Sequence, residues 1–219
     1  MTIAVILCAA RKHNDAGYFR NRNGQPARFV AQPDLAPLSK IYTYARPDDV
    51  ADVRGTWREL LSDYNKKNRD ANQLGLLKAW QLYRHKTYGQ LVRQLGEENV
   101  YVLSAGWGLL PASYLTPLYD ITLSSLAEDY QRRNKGDLYK DLPLVTDHGN
   151  EPMVFFGSKF YIPLFCKLTA RHCGRRIVFY NSAYEPSAPG CELVKFNTKA
   201  RTVWYYECAQ AFIDGRISL

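Results

Sequence analysis

A cysteine near the start of the chain stands close to two cations. Cys8 follows the apolar run of residues 2–7, and Arg11 and Lys12 come just after it. Positive charge stabilises a thiolate and makes it nucleophilic at neutral pH, so Cys8 is a candidate catalytic nucleophile. A buried, inert strand cysteine is the commoner fate of a free thiol, and the sequence leaves both interpretations open.

A carboxylate follows a short loop that contains proline. Asp120 comes after Pro117-Leu-Tyr and precedes the apolar residue Ile121. In a crevice, such a carboxylate can act as a general base or bind a guanine-type amino group. The alternative is an aspartate that caps a helix or a turn.

The segment Ser104-Ala-Gly-Trp-Gly108 follows an apolar run and carries almost no side-chain bulk apart from one indole. Gly106 and Gly108 would let a flat ligand approach the backbone, and Trp107 offers a face for stacking. The spacing matches neither a dinucleotide-binding fingerprint nor a P-loop. A tight turn with the indole packed inward is the alternative, and we favour ligand binding.

Four apolar runs alternate with helical patterns along the chain. The runs are residues 2–7, 100–103, 153–156 and 177–180, and the helical patterns cover about 56–65, 72–96, 125–133 and 157–174. This alternation predicts an α/β fold, with a mostly parallel twisted sheet flanked by helices. We expect one domain over residues 1–219, an irregular segment over 11–50, and a basic helical insertion at about 54–96 after the first strand.

In open parallel sheets, ligands bind outside the carboxyl ends of the strands. The third and fourth runs end in Gly157-Ser-Lys159 and in Asn181, so Ser158 and Asn181 are candidate substrate contacts. Lys159 stands at the predicted start of a helix, where it could meet an anion, and a solvated lysine is the alternative. We expect these residues to share one crevice with Ser104 and Lys12.

The chain carries a formal net charge of +8. A basic surplus of this size favours a polyanionic partner, with nucleic acid as the first candidate. Any single basic residue could instead belong to a solvated helix face. The predicted DNA contacts are Arg11, Arg58, Lys66, Lys67, Arg132 and Arg133, with Arg54 and Lys135 close to them in sequence.

The five cysteines are irregularly spaced without a CxxC motif, and the four histidines are scattered. This pattern argues against a disulfide framework and against a structural zinc site, so we expect no metal and no cofactor.

No apolar run has the length of a membrane helix, and the N-terminus lacks the basic start of a signal peptide. We therefore expect a cytoplasmic protein without a membrane partner.

Three motifs together resemble the YaaA-like superfamily over about residues 2–182. They are Cys8-Ala-Ala-Arg-Lys12, Ser104-Ala-Gly-Trp-Gly-Leu-Leu110 with the later Pro117-Leu-Tyr-Asp120, and Gly157-Ser-Lys-Phe-Tyr-Ile-Pro-Leu164. Within that superfamily the sequence is most similar to the DpdC group, which belongs to the bacterial system that places 7-deazaguanines in DNA. The resemblance implies metal-independent hydration of the nitrile of 7-cyano-7-deazaguanine in DNA to the carboxamide. The implied partners are DNA carrying a 7-deazaguanine base and other proteins of the modification system.

Two routes to that hydration are open. Cys8 could add to the nitrile to give a thioimidate that water then attacks, or Asp120 could activate water directly. In either route Lys12, Ser104 or Lys159 would protonate or hydrogen-bond the developing imidate nitrogen. Trp107 or Tyr119 would stack on the deazapurine, which would first have to flip out of a duplex.

Two other functional classes remain open. A non-catalytic DNA-binding or assembly protein would need the charge and the aromatics but neither Cys8 nor Asp120. An enzyme acting on the glycosidic bond of a nucleoside or of a base in DNA would use Asp120 and leave Cys8 silent.

Overall fold

The computed structural model describes residues 1–9, 11–52, 55–67, 69–134, 136–146, 148–200, 202–217 and 219. In chain order, the strands and helices are β1 (Ile3–Leu7), β2 (Ala27–Val30), β3 (Thr43–Ala45), β4 (Val50–Asp52), β5 (Gly55–Thr56), α1 (Trp57–Lys67), β6 (Leu77–Lys78), α2 (Thr87–Leu95), β7 (Val100–Ser104), β8 (Gly108–Pro111), β9 (Leu115–Thr116), β10 (Tyr119–Asp120), β11 (Leu142–Pro143), β12 (Met153–Phe156), α3 (Ile162–Leu168), β13 (Arg176–Tyr180), β14 (Glu192–Lys195) and α4 (Trp204–Ile213).

A seven-stranded sheet forms the centre, in the order β11-β8-β7-β1-β12-β13-β14. Five neighbouring strands of this sheet run parallel to one another, namely β7, β1, β12, β13 and β14. Strand β8 is antiparallel to β7, and β11 is parallel to β8. Every residue of β1, β7 and β12 is buried, which explains why these strands appear in the sequence as unbroken apolar runs. The predicted α/β fold with a mostly parallel sheet and flanking helices is confirmed.

The helices cover this sheet. Helix α2 packs against β1, β7 and α4, helix α4 packs against β12, and helix α3 packs against β8. Among the described residues, no helix is long and apolar enough to cross a membrane. The predicted insertion at about 54–96 contains α1, β6 and α2, and α2 belongs to the layer on the central sheet. Its status as an insertion stays a prediction, as does the single domain.

The predicted helix over 72–96 is wrong in its first half, since only Thr87–Leu95 is helical. The side chain of Asn72 accepts from the Leu76 amide at 3.0 Å and donates to the Leu76 carbonyl at 2.8 Å, closing a turn. Gly75 adopts a φ of +64° in that turn. Such local side-chain bonds compete with helix formation, so Asn72 closes a turn and does not cap a helix.

The predicted helix over 125–133 is also wrong, because this segment holds only a 3₁₀ turn at Asp129–Gln131. Leu126 is 91% exposed, so the segment has no apolar face to bury. The segment 11–50, predicted to be irregular, contains β2 and β3, which form a small parallel sheet with β10. This second sheet places Asp120 beside Val30.

Candidate active site

Cys8 lies directly after β1, and its thiol is enclosed. The residue is 6% exposed, and its Sγ lies 3.3 Å from the hydroxyl of Tyr161. That hydroxyl also lies 3.2 Å from Oγ1 of Thr122 and accepts from the Leu123 amide at 3.4 Å. The thiol therefore contacts one tyrosine hydroxyl, which two other groups position.

Lys12 is buried near Cys8, and its pKa lies below the ordinary value for a lysine. Its Nζ lies 4.6 Å from the ring centroid of Tyr119 and 5.8 Å from that of Tyr83. Burial lowers the pKa of Lys12 and the nearby Arg28 adds to this effect, while the neighbouring Cys8 and Asp120 oppose it in part. Because its pKa is lowered, the Lys12 ammonium gives up its proton more easily than that of a solvated lysine.

Buried tyrosines surround the two side chains. We call the set Tyr83, Tyr88, Tyr119, Tyr161 and Tyr206 the tyrosine cluster. Burial raises the pKa of each member, so these hydroxyls stay neutral hydrogen-bonding groups at neutral pH. The hydroxyls of Tyr83 and Tyr119 share a hydrogen bond, and Tyr88 donates to the Leu7 carbonyl at 2.7 Å. No sequence motif indicates this cluster, because its members come from separate segments of the chain.

Lys12 also lines a cavity of about 370 Å³, which we call the arginine pocket. Its polar lining consists of Arg11, Lys12, Asn14, Arg28, Arg84 and Asp120. Arg28 donates from Nε to Oδ2 of Asp120 at 2.8 Å and forms an ion pair with it. The structure thus brings Cys8, Lys12 and Asp120 into one neighbourhood and adds Arg28, which the sequence analysis missed.

Neither Ser104 nor Tyr119 lines the arginine pocket, although both were expected in the same crevice as Lys12. Ser104 is fully buried, and its Oγ accepts from the amides of Gly106 at 3.3 Å and Trp107 at 3.1 Å. Its hydroxyl therefore stabilises a turn and also hydrogen-bonds with the side chain of Tyr119, so the catalytic role of Ser104 stays a prediction. Tyr119 is also fully buried, with Lys12 on its ring, so it is not a stacking surface for a base.

Trp107 is part of the core, which corrects its predicted stacking role. The indole is fully buried, with its ring centroid 4.9 Å from that of Phe29 in an edge-to-face arrangement. Gly108 has a φ of +102°, and a Cβ there would lie 2.5 Å from the backbone nitrogen of Leu142. A Cβ on Gly106 would lie 3.0 Å from Cδ1 of Ile121. The group that approaches these glycines is the chain itself, so they are not substrate contacts.

Two predicted DNA contacts are buried supports of the same turn. Arg58 donates to the carbonyls of Trp107 at 2.9 Å and Gly106 at 2.8 Å, and its Nε donates to Asp48 at 2.6 Å. Arg133 donates to the Ala105 carbonyl at 2.8 Å and to both carboxylate oxygens of Asp141 at 2.7 and 2.8 Å. Neither guanidinium is available to DNA, because each is buried and already bonded. We call Ser104–Gly108 with these two arginines the clamped turn.

The other predicted DNA contacts lie on the surface. Arg11, Lys66 and Lys67 are exposed, and Lys67 forms an ion pair with Asp63 at 3.3 Å. Arg132 is partly exposed and forms an ion pair with Asp129. Arg54 and Lys135 lie outside the described residues.

Ser158, Lys159 and Asn181 line a different cavity, of about 230 Å³. Lys159 is exposed, and Asn181 donates to the Ala200 carbonyl at 3.3 Å. None of the three lines the arginine pocket, so the single crevice expected from the four strand ends is divided. The same motif does supply Tyr161, the hydroxyl next to Cys8.

Within the described ranges, no group of three or more histidine, cysteine, aspartate or glutamate side chains is placed to hold a metal ion. The chain matches no family model, no curated protein sequence and no solved structure. The resemblance to the YaaA-like superfamily accordingly stays a prediction.

Proposed function

We propose that the protein is a metal-independent enzyme that hydrates the nitrile of 7-cyano-7-deazaguanine in DNA to the carboxamide. The observation that carries the proposal is the buried lysine, Lys12, which is close enough to Cys8 to feel its charge and also lines a cationic pocket. This arrangement supports nucleophilic addition with proton transfer. The motif resemblance to the DpdC group supports the choice of substrate.

The first step forms a covalent bond to Cys8. The thiol proton passes to the unprotonated form of the Lys12 amine, which the lowered pKa makes more accessible than in a solvated lysine, and the thiolate attacks the nitrile carbon. As the C–S bond forms, the Lys12 ammonium returns that proton to the nitrile nitrogen, which gives a thioimidate. A nitrile is linear and slender, which suits a nucleophile that is only 6% exposed.

The second step adds water and releases the enzyme. Water bonds to the thioimidate carbon while one of its protons passes to nitrogen through Lys12. The C–S bond then breaks, the remaining hydroxyl proton returns to the sulfur, and the carboxamide leaves. The balance is one nitrile and one water consumed for one carboxamide formed, with the thiol regenerated.

The route through Cys8 is favoured over direct activation of water by Asp120. Both contacts from Arg28 fall on Oδ2 of Asp120, so this carboxylate is already engaged in an ion pair. Asp120 also acts on the pKa of Lys12, in the direction that keeps the ammonium form. We therefore assign Asp120 a positioning role toward Lys12 and Arg28.

The test is a product analysis. Purified protein is incubated with a single-stranded oligonucleotide that carries 7-cyano-7-deazaguanine, and with a matched oligonucleotide that carries guanine. The DNA is then digested to nucleosides and analysed by mass spectrometry. We expect a gain of one water on the modified nucleoside and no change on the guanine control.

Two results would contradict hydration. An unchanged nucleoside, under conditions where the protein binds that DNA, would favour a binding or assembly role. Release of the free base would favour glycosidic chemistry. The Asp120→Asn and Cys8→Ala variants then separate the two hydration routes, since only the favoured route loses all product with Cys8→Ala.

A further inference from the structure

The three arginines of the arginine pocket differ in their partners. Arg28 is paired with Asp120. Within the part of the chain that the structure describes, neither the Arg11 nor the Arg84 guanidinium has a hydrogen bond or an ion pair. These two cations are therefore available to a ligand.

Backbone pairing holds Arg11 and Arg84 next to each other. Lys12 and Tyr83 form an antiparallel bridge, and the Arg84 amide donates to the Arg11 carbonyl at 3.2 Å. The His13 amide donates to the Leu82 carbonyl at 2.9 Å on the other side of the bridge. The two exposed arginines are thus fixed at the rim of the cavity by their own backbones.

The pocket carries a surplus of positive charge. Arg11, Lys12, Arg28 and Arg84 face a single carboxylate, that of Asp120, in about 370 Å³. Guanidinium groups match the oxygens of a phosphate in pairs, and the Asn14 amide adds a further hydrogen-bonding group. A cavity of this size is at the small end of ligand pockets and suits one such group with part of its sugar.

We propose that Arg11 and Arg84 form a subsite for one phosphate group of the substrate, beside the Cys8 centre. The assignment of this phosphate to the substrate rests on the proposed function, while the binding itself does not. The group comes either from a DNA phosphodiester or from the terminal phosphate of a mononucleotide.

Titration calorimetry at fixed ionic strength tests the subsite. The probes are inorganic phosphate, 2′-deoxyguanosine 5′-monophosphate, 2′-deoxyguanosine, and a short single-stranded oligonucleotide without terminal phosphates. We expect the monophosphate to bind at least about tenfold more tightly than the nucleoside. Arg84→Gln and, separately, Arg11→Gln should each lower the affinity for inorganic phosphate by about tenfold. Arg171→Gln, an equal charge change at an exposed arginine outside this pocket, should stay within about twofold.

Equal losses of phosphate affinity in Arg84→Gln and Arg171→Gln would overturn the subsite, because they would show only a general attraction between opposite charges. Equal affinity for the monophosphate and the nucleoside would overturn it as well. Tighter binding of the oligonucleotide than of the monophosphate would support the subsite with a phosphodiester as the source. The reverse order would support it with a terminal phosphate as the source. No probe carries a nitrile, so failure of the hydration assay and failure of the subsite are separate results.

Discussion

The clamped turn and the arginine pocket both contain arginines, but these arginines have opposite roles. The clamped turn continues from the central strand β7, and Arg11 of the pocket comes shortly after the neighbouring strand β1. In the clamped turn, Arg58 and Arg133 are buried and bonded to the chain's own carbonyls and carboxylates. In the arginine pocket, Arg11 and Arg84 are exposed at a cavity. An arginine supports the fold where other parts of the chain supply its hydrogen-bond partners. It can bind a ligand where the chain supplies none.

The largest effect is expected from Arg133→Leu. It removes the bidentate partner of the Asp141 carboxylate, whose side chain is 1% exposed, and leaves the longer ion pair with the exposed Lys167 at 3.5 Å. Removing one member of a buried ion pair costs about 3–5 kcal/mol in the free energy of unfolding. Urea denaturation measures it, and the neighbouring Arg132→Leu, whose ion pair is on the surface, should cost less than about 1 kcal/mol. Similar losses in both variants would remove the distinction between the two kinds of arginine.

The next largest effect is expected on the hydration rate, in the Lys12→Met variant. Loss of the proton-transferring amine should lower the hydration rate by at least about a hundredfold while the chain stays folded. A rate close to that of the wild type would exclude Lys12 from proton transfer.

The same variant makes a prediction about pH. The folded-state pKa of Lys12 lies below its ordinary value of 10.5, so the unfolded chain binds more protons between the two values. Stability of the wild type relative to Lys12→Met should therefore rise as the pH increases toward 10.5, and the methionine variant should be the more stable near neutral pH. Urea denaturation of both proteins across this range measures the difference, and a constant difference would contradict the burial effect.

Gly108→Ala should destabilise the clamped turn. The residue has a φ of +102°, and an added Cβ would lie 2.5 Å from the Leu142 nitrogen, where β11 pairs with β8. We expect a loss of at least about 2 kcal/mol by urea denaturation. Gly136→Ala, with no atom within 4 Å of an added Cβ, is the control and should change stability by less than about 0.5 kcal/mol. Equal tolerance of both alanines would mean that no backbone approaches Gly108 closely.

The smallest effect is expected from Tyr161→Phe. It removes one hydroxyl from Cys8 and Thr122, at a cost of about 1 kcal/mol in stability. We expect the hydration rate to fall by about fivefold to tenfold, because the thiol loses its positioning contact. Tyr184→Phe, at a residue that is 87% exposed, should leave both quantities unchanged. An unaltered rate in Tyr161→Phe would limit this tyrosine to packing.

The sequence allowed the central strands to be predicted because parallel strands buried on both faces appear as apolar runs. It also allowed Cys8 and Lys12 to be selected because they follow the first apolar run, and Asp120 because it follows Pro117-Leu-Tyr. The roles of Arg58 and Arg133 could not be predicted in the same way. Their carbonyl partners lie 49 and 28 residues away in sequence, so only the folded chain shows that they are occupied. Arg28 meets Asp120 across 92 residues through the pairing of β2 with β10, which no local pattern indicates.

The most direct test of the central claim is a search for the covalent intermediate on Cys8. The reaction with the nitrile-bearing oligonucleotide is quenched with acid, digested with nuclease and protease, and analysed by peptide mass spectrometry. The account predicts a deazaguanine nucleoside attached to the peptide that contains Cys8, and none on the peptide that contains the exposed Cys173. It also predicts that Cys173→Ala forms the carboxamide at the wild-type rate. Carboxamide formation by Cys8→Ala at that same rate would contradict the account.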